Sequence, residues 1–86
     1  MKSQEIQERI YMWALYKDFN APYGVLTGQH TSQNGKPFRT VTFGRARTLD
    51  ATVEIYNPSF IVLRTSRYGR EVFKSMNEMM PTLESL

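Results

Sequence analysis

The sequence predicts an α+β two-layer sandwich, in which a four- or five-stranded antiparallel meander is flanked by an N-terminal and a C-terminal helix on one face. Three observations lead there. Apolar residues recur at helical spacing only near the two ends of the chain, β-branched and aromatic residues fill the middle, and turn formers divide that middle into short segments. Eighty-six residues make one domain, 1–86, because a chain of this length buries only roughly 60–65% of its extended surface.

The first helix is expected from Ser3 to Asp18, a stretch free of Gly and Pro in which Ile6, Ile10, Trp13 and Ala14 form a stripe widened by Leu15 and Phe19. Ser3 suits an N-cap, Glu5 the positive end of the helix dipole and Lys17 the negative end. Asn20-Ala21-Pro22 then breaks the helix. Tyr11, Met12 and Tyr16 fall partly off the stripe, so a second apolar surface is expected on this helix.

Asn34-Gly35 is the strongest hairpin signal, read as a two-residue type I′ turn joining a strand around Gly24–His30 to one around Phe38–Arg45. Val41 and Phe43 share one face of the second strand, and Gly44 suggests a bulge. Thr52–Tyr56 alternates with Val53 and Ile55 inward, and Asn57-Pro58-Ser59 turns into the nearly continuous apolar strand Phe60–Thr65. Ser66-Arg67-Tyr68-Gly69 leads back into Arg70–Phe73. The second helix opens with the capping-box spacing Ser75-Met76-Asn77-Glu78, presents Met76, Met79, Met80 and Leu83, and is expected to kink or stop at Pro81. With both helices on one face, the other face exposes Thr40, Thr42, Thr52, Glu54 and Tyr56 with some of the arginines.

Composition narrows the function classes. Without cysteine there is no disulfide, thiolate nucleophile or thiolate metal site, and the one histidine, His30, beside a turn, reads as a solvated loop residue. Glu54 and Glu71 are more simply cross-strand partners of arginines than a catalytic pair. No glycine spacing matches a phosphate loop. The expectation is therefore a non-enzymatic protein needing no cofactor or metal. Apolar runs fall far short of the ~20 residues of a membrane span, and no signal-peptide core follows Met1–Glu5, so a cytoplasmic chain with no membrane partner is expected.

Charge supplies the functional signal. Residues 36–74 hold eight cations against three anions, and six of the seven arginines lie there, whereas the last twelve residues add only Glu78 and Glu84. Arginines interleaved with aromatics suit phosphate contacts and base stacking, which makes nucleic-acid binding through an arginine and aromatic sheet-and-turn surface the leading expectation. Arg45, Arg47, Arg67 and Arg70 fall at strand ends and turn tips, with Tyr68 among them and Lys36 beside Asn34-Gly35. The plainer account of these arginines is solvated edge protection and covering of the core by their stems. The alternative function is a protein-binding inhibitor or adaptor, of the kind small viral accessory proteins provide, using Tyr11, Met12 and Tyr16. Either class is compatible with a homo-oligomer.

Overall fold

In a computed structural model describing residues 1–86, the elements run α1 (Ser3–Tyr16), β1 (Leu26–Thr31), β2 (Pro37–Arg45), β3 (Leu49–Asn57), β4 (Phe60–Thr65), β5 (Gly69–Phe73) and α2 (Met76–Glu84). All five strands form one antiparallel sheet in sequence order, the meander that the turn signals predict. The helices cover one face. Ile6, Ile10 and Ala14 of α1 and Met79 and Leu83 of α2 close over Val41, Phe43, Ala51, Val53, Ile55, Ile61 and Leu63 in one core. Fully burying an aliphatic side chain of this size contributes about 1.5–3 kcal/mol, so this shared face holds the two layers together.

The ends of α1 differ from expectation. Lys2 occupies the N-cap and makes no side-chain cap bond, because Ser3 is already helical. At the other end the helix stops at Tyr16, short of the expected Asp18 and ahead of Asn20-Ala21-Pro22. Asp18 takes the left-handed conformation at φ +63°, its N–H donates to the Leu15 carbonyl at 3.1 Å, and the Phe19 N–H donates to the Ala14 carbonyl at 2.9 Å. This is a Schellman ending, which turns Phe19 into the core. At α2 the expected cap is present: the Ser75 hydroxyl accepts from the Glu78 N–H at 3.1 Å. The helix does not stop at Pro81 but continues to Glu84.

Two turn assignments are corrected. Of Asn34 and Gly35 only Gly35 has positive φ, +78°, and the pairs Gly35 N–H to Ser32 carbonyl and Ser32 N–H to Lys36 carbonyl enclose three residues. The hairpin is a three-residue loop ending in left-handed Gly35, because the Ser32 hydroxyl also accepts from the Lys36 N–H and widens the turn. Gly44 is no bulge. It pairs regularly with Asp50, and a Cβ there would run into the Leu49 carbonyl oxygen and meet the Ala21 carbonyl oxygen at 3.2 Å. Glycine is needed at this position because the chain leaving α1 passes over it, with the Ala21 N–H donating to the Gly44 carbonyl at 3.0 Å. The irregularity lies instead where β3 meets β4, between Ile55 and Asn57, leaving Tyr56 as the extra residue.

Gln7 is the buried polar link between the layers. Its Nε2 donates to the carbonyls of Gly28 and Thr40, each at 3.0 Å, and its Oε1 accepts from Arg39 at 3.0 Å. No helix of the chain is long and apolar enough to cross a membrane.

Candidate functional site

Strand alternation sends Leu26, His30, Phe38, Thr40, Thr42, Thr52, Glu54, Tyr56, Val62, Arg64, Arg70 and Val72 to the face that no helix covers. Across one end of that face runs a row of rings. His30 stacks on Phe38 at 5.3 Å between centroids, Phe38 stacks on Tyr56 at 4.8 Å, and Phe60 meets Tyr56 edge-on at 5.3 Å. Four neighbouring strands each contribute one ring. Aromatic pairs at these separations are worth about 0.5–1.5 kcal/mol beyond their buried area.

His30 is accordingly not a loop residue. It lies within β1, and its Nε2 is 3.1 Å from the Thr40 hydroxyl. Burial, then the Glu54 carboxylate beside it, holds the Tyr56 phenol above its ordinary value of 10.0, with Arg64 and Arg70 pulling the other way. The Tyr56 hydroxyl donates to Glu54 at 3.3 Å.

Farther along the same face, Arg64 of β4 stands directly opposite Arg70 of β5. Arg64 Nε contacts Glu54 Oε1 at 3.1 Å, whereas Arg70 has no carboxylate partner within the chain. Like charges placed opposite one another in a sheet are destabilising, so this pair favours an anion between or above it. Arg64 also borders an open cleft of about 500 Å³ between the Ala21–Gly24 segment and Thr42, Thr52 and the turn residue Ser66.

The arginines expected to bind are divided by the fold. The β2–β3 and β4–β5 turns lie at the same end of the meander, which gathers Arg45, Arg47, Arg67 and Tyr68. Two of these arginines have structural work. Arg45 lies over the Phe19 ring at 4.5 Å and donates to the Lys17 carbonyl at 3.5 Å, and Arg67 donates to the Ser85 carbonyl at 3.4 Å. Lys17 and Ser85 are the C-caps of α1 and α2, where the helix dipole favours a cation. Tyr68 joins the second cap through Ser85 Oγ at 3.3 Å.

Arg47 differs from both. It is exposed, forms no hydrogen bond or ion pair within the chain, and sits at φ +68° as the third residue of the turn closed by the Thr48 N–H and the Arg45 carbonyl. That position ordinarily takes Gly or Asn. Lys36 is separated from the group, since the β1–β2 loop lies at the opposite end of the sheet. On α1, Tyr11 packs partly against the core, while Met12 and Tyr16 project at 61% and 84% exposure.

Sequence reasoning missed the row of rings and Arg64. Period-2 alternation assigns Phe38, Tyr56 and Phe60 to a face, but only the register of three strand pairs brings them together. No protein-family model, curated protein or solved structure matches the chain.

Proposed function

We propose that the chain is a non-enzymatic module that binds nucleic acid on the uncovered sheet face and the adjoining β2–β3 turn. The observation that carries this reading is the cross-strand pair Arg64 and Arg70 on the face that carries the aromatic row, with one carboxylate, Glu54, paired to Arg64 and none to Arg70. A phosphate on the pair relieves a repulsion built into the sheet, and Arg47 adds a cation at the end of the same surface. The backbone cost of Arg47 at positive φ, on the order of 1 kcal/mol, points the same way, because such strain persists chiefly where a side chain is used. Arg45, Arg67 and Tyr68 frame this surface, with their first duty at the helix ends. No cofactor enters the reading, and the cytoplasm is its expected setting.

The test is titration of labelled single-stranded and duplex DNA and RNA at stepped salt concentrations. Affinity is expected to fall as salt rises. The combined change Arg47→Gln, Arg64→Gln and Arg70→Gln should flatten log K against log salt by about 0.9 per lost duplex phosphate contact, or about 0.7 on a single strand. These side chains are exposed, where a substitution typically shifts stability by less than about 0.5 kcal/mol, so the fold should survive. No binding at about 50 mM salt, where phosphate contacts are strong, overturns the reading.

The exposure of Met12 and Tyr16 favours a second reading, a protein partner on α1. It predicts that truncating these two abolishes partner binding while the arginine changes leave it intact.

A further inference from the structure

The two edges of the sheet are unlike. The β5 edge carries Arg70 and Glu71, with Lys74 following, which is the usual protection against adding another strand. Strand β1 has none. Leu26–Thr31 reads Leu-Thr-Gly-Gln-His-Thr, without a carboxylate, lysine, arginine or proline, and pairs with β2 in unbroken register.

The orientation of its backbone follows from two hydrogen bonds. Gln7 Nε2 reaches the carbonyls of both Gly28 and Thr40, which are opposite one another, so both oxygens lie in the seam between β1 and β2. The Ser32 N–H donates to the Lys36 carbonyl, which fixes the same parity at the loop. The N–H and C=O groups of Thr27, Gln29 and Thr31 therefore point away from the sheet. On the uncovered face the ring row ends at this edge, with His30 as its last member.

We propose that β1 pairs antiparallel with β1 of a second copy of this chain, making one ten-stranded sheet about a two-fold axis. A second copy fits better than a foreign strand on three counts. An uncharged strand brings no like charges together when it meets itself. The outward groups of Thr27, Gln29 and Thr31 recur every second residue, as an antiparallel partner of the same sequence requires. The clustered arginines stay clear of the junction, in the turns and on β4 and β5. A single strand pair is a small interface, so the dimer is concentration-dependent. It also joins two uncovered faces into one.

Sedimentation equilibrium over a wide concentration range, with amide hydrogen exchange at both extremes, tests this. The expected result is a mass rising from one chain toward two, with the Thr27, Gln29 and Thr31 amides exchanging fast when dilute and becoming protected when concentrated. Gln29→Pro removes one outward N–H without touching the β1–β2 ladder and should keep the chain monomeric, as should Gln29→Lys, which places two cations at the junction. A monomer at every concentration overturns the proposal. So does dimerisation of both variants at the strength of the parent chain, or self-association that leaves the Thr27 and Gln29 amides unprotected, because each places the interface elsewhere. Dimerisation of only a foreign peptide with β1 overturns the choice of a second copy.

Discussion

Trp13 Nε1 donates to Glu84 Oε1 at 2.7 Å, a bond that ties α1 to α2 across 71 residues of sequence. Lys17 reaches the other carboxylate oxygen of Glu84 at 3.0 Å, so one side chain holds two residues of the opposite helix.

These contacts, the Trp13 bond first and Lys17 second, hold the Glu84 carboxyl below its ordinary value of 4.5. A depressed carboxylate supports the fold above its unfolded value and loses that support as pH falls through the folded one. Fluorescence of Trp13, the single tryptophan, should therefore stay level down to about pH 4.5 and change only below it. Glu84→Gln should remove most of that acid transition. A transition of unchanged size in the variant refutes the assignment.

Replacing Gln7 with Leu strips the Arg39 guanidinium of an acceptor and two β-strand carbonyls of a second donor. Losing a hydrogen-bonding partner of this kind costs about 1–3 kcal/mol. Urea unfolding should show a lower midpoint with an unchanged slope, the mark of lost stability without altered compactness.

Gly44→Ala should be among the most damaging single-methyl additions in the chain, at about 1–3 kcal/mol, because the obstacles are backbone oxygens of Leu49 and Ala21 and not the ends of flexible side chains. A melting temperature equal to that of the parent would remove the close approach of the 20–22 segment to β2.

Asp18 and Arg47 share a left-handed backbone, and exchanging either for glycine should raise stability by up to about 1 kcal/mol. Their effects on nucleic acid should separate. Arg47→Gly is expected to weaken binding and flatten its salt dependence, while Asp18→Gly leaves both alone. Equal effects of the two changes would assign the role of Arg47 to turn geometry.

The layers were legible from local pattern. Ile6, Ile10 and Ala14 announce α1, Val53 and Ile55 announce the inward face of β3, and Ser75 with Glu78 marks the start of α2, because each signal depends on neighbours a few residues apart. Features set by distant segments were not legible. Gly44 suggested a bulge because nothing in its own strand reveals that Ala21 crosses it. His30 read as a loop residue because Phe38 and Thr40 approach it only through the hairpin register. Arg45 and Arg67 read as free binding groups because the helix ends they cap lie 28 and 18 residues away.

The meander has a kinetic consequence. Every strand pairs with its immediate sequence neighbour, so the sheet assembles through four short loops and closes none of the long ones that slow other β-rich chains. Distant closure is left to the helices, through Gln7 to Thr40 and Trp13 to Glu84. Hairpin substitutions should therefore alter the refolding rate, whereas breaking the Trp13 to Glu84 link should chiefly quicken unfolding, because that contact joins the two ends of the chain after the sheet exists.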